Sequence, residues 1–143
     1  MWKFKHIIMQ NIIETSTKFA PQLLVLLFLA ITFLTSTIDK IIDWNGNIAY
    51  FNEHFGTTFL KGKSALMLGF LTVMETIISL LAVVGMFQIY LNRSLDVGFW
   101  ATVIAAKVLL FMLLGQRIAK DYAGAMTIAV YFGITLYGLS LFV

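Results

Sequence analysis

Two ionisable residues lie deep inside apolar stretches of this chain. Glu75 falls within residues 66–91 and Lys107 within residues 97–114, and stretches of about 20 apolar residues are long enough to cross a bilayer as helices. A charged side chain at the bilayer centre costs about 2.5–3.5 kcal/mol on insertion scales unless it is paired or hydrated. Each residue therefore needs an opposite charge, or belongs to a site that handles protons or a polar ligand.

The depths of these two residues predict that they meet. Measured from the membrane face that carries the first long loop, Glu75 lies about ten residues, or roughly 15 Å, inside its helix. Lys107 lies about seven to ten residues, or roughly 10–15 Å, from the same face on the next, antiparallel helix. We therefore predict a Glu75–Lys107 ion pair across neighbouring helices.

Four further charged residues lie toward the same face. Asp39 and Lys40 lie near the end of the first apolar stretch, where the helix dipole favours a cation and the Lys40 side chain can extend outward to the headgroups. Arg117 and Asp121 follow the third stretch and are expected near the surface. Together these residues predict a polar pocket that opens toward this face. Either the ion pair only fixes the register of the bundle, or the pocket binds a small amphipathic ligand or relays protons.

The composition narrows the chemistry further. The chain has no cysteine, which excludes disulfides, thiolate nucleophiles and cysteine-ligated zinc or iron–sulfur sites. His6 and His54 are far apart in sequence, and neither has a neighbour at metal-ligand spacing. We expect no metal site and no haem. The net charge of +3 comes from scattered cations, so nucleic acid is not an expected partner.

The elements that must position these residues are membrane helices. Of 143 residues, 60% are hydrophobic and only 12% are charged, against about a quarter charged in soluble domains. Four apolar segments joined by short turns predict one all-α integral membrane domain, an up-down bundle of four transmembrane helices at approximately 21–42, 65–91, 97–116 and 123–143. The lipid bilayer is thus the expected main contact.

The flanking segments carry their own signals. Residues 1–19 place Phe4, Ile8 and Ile12 on one helical face, which fits either an N-terminal helix lying in the headgroup region or an ordinary flanking segment with apolar side chains. Pro21 suits the first turn of the first span. Residues 45–47, Asn-Gly-Asn, predict a turn. The aromatic segment 48–60 is too short and too polar to span, so we expect it at the interface.

The end of the first span also resembles a known family. Residues 36–40 (Ser-Thr-Ile-Asp-Lys), followed by Asp43-Trp44 and residues 48–51 (Ile-Ala-Tyr-Phe), together with Glu75 and Gly85 on the second span, resemble the DoxX-like family of small four-helix membrane proteins. This chain has Gln116-Arg117 where many relatives have a histidine. The resemblance implies a bacterial inner-membrane protein, in some members the membrane subunit of a quinone-linked oxidoreductase.

The leading functional expectation is an accessory or anchoring subunit of a redox-linked inner-membrane complex, with other membrane subunits as partners and no catalysis of its own. One alternative is a quinone-interacting subunit in which Glu75, Lys107 and Lys40 line the pocket, quinone being the one cofactor considered. Another alternative is a small oligomeric transporter. Counting cations gives four on one side of the membrane and five on the other. Because the first helix usually dominates orientation, Lys3, Lys5 and Lys18 ahead of it predict cytoplasmic termini.

Overall fold

The chain folds into six helices without a strand, and the computed structural model describes every residue from 1 to 143. The helices are α1 (Trp2–Lys18), α2 (Ala20–Ile42), α3 (Trp44–His54), α4 (Ser64–Asn92), α5 (Asp96–Ile118) and α6 (Tyr122–Ser140). Helices α2, α4, α5 and α6 are long and apolar enough to cross a membrane. The predicted all-α, four-span membrane bundle is confirmed, with helix ends close to those expected.

Successive long helices run in opposite directions, so the bundle has two distinct ends. We call them the α1 end, where α2 and α5 begin and α4 and α6 finish, and the α3 end, where α2 and α5 finish and α4 and α6 begin. Helix α4 packs along both α2 and α5, and α6 packs along α5. Helices α2 and α6 touch more sparsely.

Glycines bring the helices close together at the α1 end. A Cβ atom placed on Gly85 of α4 would lie only 2.9 Å from the backbone nitrogen of Gly98 on α5. A Cβ on Gly138 of α6 would lie 2.6 Å from Cγ1 of Val25 on α2. Small residues allow such backbone approach in lipid, where packing replaces the hydrophobic effect as the force between helices. All four long helices are therefore in tight contact here.

The α3 end is covered by α3 and by the turns of residues 55–63. The side chain of Asp43 accepts a hydrogen bond from Gly46 N at 3.1 Å and so caps α3 at its N-terminus. The predicted turn at residues 45–47 is therefore wrong, because these residues form the first turn of α3. Capping by an aspartate satisfies free amide groups and allows a helix to begin in an otherwise turn-like sequence.

Helix α1 contacts the bundle only near its own C-terminus. Ser16 Oγ lies 2.8 Å from the hydroxyl of Tyr90 at the end of α4, and Arg93 Nη2 lies 3.3 Å from Glu14 Oε1. Residues 2–14 are all exposed, apolar side chains included. Pro21 lies in the first turn of α2, as expected. The location of α1 in the headgroup region stays a prediction.

Candidate functional site

A buried ion pair forms the centre of the site, but it is not the pair that the sequence predicted. The carboxylate of Glu75 is 1% exposed, and Lys40 Nζ lies 2.9 Å from its Oε2 and 3.0 Å from its Oε1. The Lys40 side chain is itself only 11% exposed. The predicted Glu75–Lys107 pair is therefore wrong: the cation that neutralises Glu75 comes from α2, not α5.

Helix direction explains why Lys40 reaches Glu75. Side chains on a helix lean toward its N-terminus, and α2 has its N-terminus at the α1 end. Lys40 therefore extends inward along α2 by one turn, and the expectation that it extends outward to the headgroups is wrong. Helix α4 runs the opposite way, so Glu75 leans toward the α3 end. The two side chains meet between their own Cα levels.

Ser36 completes the site as a third member that the sequence analysis did not assign. Its Oγ accepts a hydrogen bond from Lys40 Nζ at 2.5 Å and donates one to Glu75 Oε1 at 3.2 Å. A buried ion pair is stable only when further hydrogen bonds satisfy its remaining atoms. The spacing of four residues between Ser36 and Lys40 was a usable signal, since it puts both on one helical face.

Lys107 lies on the outside of the bundle because of the residues around it. Small buried side chains at Gly98, Ala101 and Ala105 face α4 and α6. At 3.6 residues per turn, Lys107 lies roughly opposite Gly98 and Ala105 around α5. Its side chain is exposed and has no acidic partner. Lys107 therefore does not belong to the polar site.

The other three predicted residues have separate roles. Asp39 is exposed, although it borders the space beside Glu75. The guanidinium of Arg117 lies 4.9 Å from the centre of the Tyr122 ring, at the surface. Asp121 Oδ1 accepts a hydrogen bond from Gly124 N at 2.8 Å and caps α6. Of the six predicted residues, the structure thus brings only Glu75 and Lys40 into direct contact, with Asp39 nearby.

A large apolar cavity lies under α3 on the Lys40 side of the ion pair. Its volume is about 430 Å³, within the range of roughly 300–1,000 Å³ that small-molecule sites occupy. The aromatic residues of its wall are Tyr50, Phe51, Phe55, Phe59 and Phe111, and the polar side chains are those of Lys40, Asn47, His54 and Gln116. We call this space the aromatic cavity. It combines a flat, apolar wall with a few hydrogen-bonding groups.

Helix α3 forms the roof of the aromatic cavity, and His54 at its end holds it in place. His54 Nε2 lies 2.6 Å from Gln116 Oε1 on α5 and 3.8 Å from Asp121 Oδ2. The imidazole ring stacks on Tyr50, with ring centres 5.1 Å apart. Sequence reasoning set His54 aside because it has no ligand-spaced neighbour, and its partners are 62 and 67 residues away. These contacts fasten α3 to the turn between α5 and α6.

A second space lies on the Glu75 side of the ion pair, along the loose seam between α2 and α6. We call it the polar cleft. Its volume is also about 430 Å³, and its polar lining consists of Thr32, Thr35, Ser36, Asp39, Glu75 and the Tyr131 phenol. Lys40 borders the aromatic cavity and Glu75 borders the polar cleft. The ion pair therefore stands between the two spaces.

This arrangement suits the binding of an amphipathic molecule beside a fixed charge pair. No group of three histidine or acidic side chains gathers anywhere in the chain. The fold and the site define a small helical membrane protein with four spans, a buried lysine–glutamate pair and a roofed cavity beside it. No protein-family model, no curated protein and no solved structure matches the chain, so the DoxX-like resemblance stays a prediction.

Proposed function

We propose that this chain is a multi-pass membrane subunit that binds the ring of a quinone-class ligand in the aromatic cavity. The observation that carries the proposal is the aromatic cavity itself, with Lys40 held in its wall by Glu75 and Ser36. The sequence resemblance to a family with quinone-linked members points in the same direction. The proposed role is ligand binding alone, and a partner protein carries out any oxidation or reduction of the ligand.

The chemistry of the cavity matches such a ring. A quinone ring is flat and carries oxygen acceptors, so it needs aromatic surfaces for stacking and a few donors at its edge. The Lys40 ammonium places a positive charge in the lining, with its protons directed to Glu75 and Ser36, and the amide groups of Asn47 and Gln116 are donors there. These polar groups orient the ring, and the aromatic side chains contact its apolar faces.

The position of the cavity matches the long apolar tail of a membrane quinone. Phe59 and Leu114 both border the cavity and are 74% and 57% exposed. Exposed apolar side chains on this bundle face lipid, so the cavity borders the bilayer rather than only the aqueous phase. A ligand dissolved in the membrane can enter sideways and leave its tail among the lipid chains.

The ion pair explains how a cation can be kept at this depth. Lys40 alone would be an uncompensated charge in a low-dielectric bundle, and Glu75 balances it. Two hydrogen bonds to the carboxylate and one to Ser36 also fix the ammonium in place. The same ion pair separates the aromatic cavity from the polar cleft, so a path between them within one copy would require the pair to open.

A matched pair of glycine variants tests the proposal. Gly115 lines the aromatic cavity, and a Cβ added there lies 3.6 Å from Phe55, an ordinary contact. Gly115→Leu therefore fills the cavity without touching the ion pair. Gly133 lies in α6 with nothing within 4 Å of an added Cβ, so Gly133→Leu is the matched control. We expect saturable binding of decylubiquinone by wild type and Gly133→Leu, and binding at least about tenfold weaker for Gly115→Leu.

A second variant tests whether the ion pair, and not only the apolar volume of the cavity, contributes to ligand binding. The double change Lys40→Met with Glu75→Leu removes both charges together, so neither is left unpaired. It should bind decylubiquinone more weakly while the fold is retained, because the cavity wall loses its positive charge. The proposal fails if wild type shows no saturable binding, if Gly115→Leu binds as well as wild type, or if native mass spectrometry finds only phospholipid in the cavity.

We also propose that the α1 end faces the cytoplasm of a bacterial inner membrane. Lys40 is buried and paired, so it no longer counts among the cations of the α3 end. That leaves four exposed cations at each end: Lys3, Lys5, Lys18 and Arg93 at the α1 end, and Lys61, Lys63, Arg117 and Lys120 at the α3 end. The three lysines ahead of the first span are what favour this orientation.

A further inference from the structure

An unpaired cation lies at mid-depth on the outer surface of α5. Lys107 is eleven residues from Asp96 and eleven from Ile118, the two ends of the helix. At 1.5 Å per residue, each end is about 16 Å away. Four methylene groups cannot carry an ammonium over that distance to the headgroups. An exposed lysine at this depth is unfavourable in lipid unless another molecule pairs with it.

The residues around Lys107 form a helix-packing seam. Trp100, Val103, Lys107, Leu110 and Leu114 follow one another at spacings of three, four, three and four residues. Trp100, Leu110 and Leu114 are 56%, 47% and 57% exposed, so no helix of this chain covers them. This heptad spacing is the pattern by which two helices pack side by side, and a single lysine in such a seam selects the partner and its register. We call these five residues the α5 seam.

The chain has no carboxylate that can meet Lys107. Glu75, the only acidic side chain at comparable depth, is buried and paired with Lys40. The remaining acidic residues lie at or beyond the ends of the long helices: Glu14, Asp39, Asp43, Glu53, Asp96 and Asp121. A second copy packed through the same seam would place Lys107 against Lys107, whichever way up it inserted, because the residue is at the midpoint of α5.

We propose that the α5 seam binds a transmembrane helix of a different protein that carries an aspartate or glutamate at mid-bilayer. The carboxylate pairs with Lys107, and the apolar seam residues pack against the partner on either side of it. This interaction surface lies on the outside of α5, and of its five residues only Leu114 also borders the aromatic cavity. The pairing of Lys107 with a carboxylate does not require a ligand in that cavity. It gives the chain a specific place in an assembly with one anionic helix.

A designed helix in liposomes tests the charge requirement. The probe is a single-span peptide with leucine and valine on a heptad seam and one glutamate at its centre, and its controls carry glutamine there or place the glutamate one heptad nearer the end. Energy transfer between labelled peptide and labelled full chain measures association. We expect the central-glutamate probe to bind about 3- to 30-fold more tightly than either control. Lys107→Met should abolish this preference, and Lys107→Arg should retain it.

Crosslinking tests the natural partner. A photoreactive phenylalanine at Val103 or Leu110, in the full chain and its native membrane, should crosslink to a span that has an aspartate or glutamate within one turn of the linked residue. The same group at Leu80, an exposed position on α4, is the control and should not capture that span. The proposal is wrong if the probe binds equally with glutamate and glutamine. It is also wrong if the crosslinked species is a second copy, lipid alone, or a span without a mid-depth carboxylate.

Discussion

The same four helices behave differently at the two ends of the bundle. At the α1 end, Gly85, Gly98 and Gly138 allow near contact of backbones. At the α3 end the helices leave two spaces of about 430 Å³ each, with a charged pair between them. Tight packing at one end therefore supports open, polar structure at the other.

The contrast follows from what holds helices together in lipid. Apolar side chains gain little by leaving lipid for a protein interior, so close packing and hydrogen bonds between helices must stabilise the bundle. The α1 end supplies packing, while the α3 end supplies the Lys40–Ser36–Glu75 hydrogen bonds and the His54–Gln116 contact.

Breaking the ion pair should produce the largest effect on the α3 end. Lys40→Met leaves the Glu75 carboxylate buried without its cation, which should lower the free energy of unfolding by about 3–5 kcal/mol. The double variant with Glu75→Leu should recover much of that loss, since the two residues are in contact. Unfolding by SDS titration in mixed micelles measures all the variants.

Lys107→Met serves as the control for this cycle. The residue is exposed and unpaired, so its substitution should not destabilise the isolated protein. Its effect on the free energy of unfolding should add to that of Glu75→Leu without coupling. A coupling of Glu75 to Lys107 that exceeds its coupling to Lys40 would contradict the observed pairing.

Two glycine-to-alanine substitutions on α4 compare how tightly the helices pack at the two ends of the bundle. Gly85→Ala at the α1 end forces α4 and α5 apart, because the new Cβ would meet the backbone of Gly98 at 2.9–3.0 Å. We expect it to cost about 1–3 kcal/mol of unfolding free energy. Gly69→Ala, toward the α3 end of α4, has its nearest neighbour in Trp44 at 3.9 Å. It should stabilise the helix by roughly 0.5–1 kcal/mol. Equal effects at the two positions would remove the distinction between a tight and an open end.

The smallest loss of stability is expected from removing the contacts that hold α3 over the aromatic cavity. His54→Ala removes the hydrogen bond to Gln116 and the stacking on Tyr50, and should destabilise locally by about 1 kcal/mol. Amide hydrogen exchange should become faster across α3 (Trp44–His54) while α6 near Gly138 is unchanged. Faster exchange throughout the bundle would show that the roof and the α1 end are one cooperative unit.

The class and the layout of this protein follow from local patterns in its sequence. Apolar stretches of transmembrane length, short polar turns and a proline at Pro21 specify four membrane helices, because in lipid the backbone must satisfy its own hydrogen bonds. The presence of an ionic site followed equally from the sequence, since Glu75 is too costly at this depth to remain alone. These conclusions depend on local periodicity and burial cost, which a single sequence contains.

Which charges meet depends on how the helices pack against one another. Depth counted along Cα positions favoured Lys107 over Lys40, but it ignored the lean of each side chain toward its helix N-terminus and the rotation of α5 about its axis. The lean brings Lys40 inward to Glu75, and the rotation turns Lys107 to the outside. His54 and Gln116, 62 residues apart, likewise become neighbours only when α3 folds over the end of α5. Pairings of this kind depend on helix rotation and long-range packing, which residue spacing along one helix does not contain.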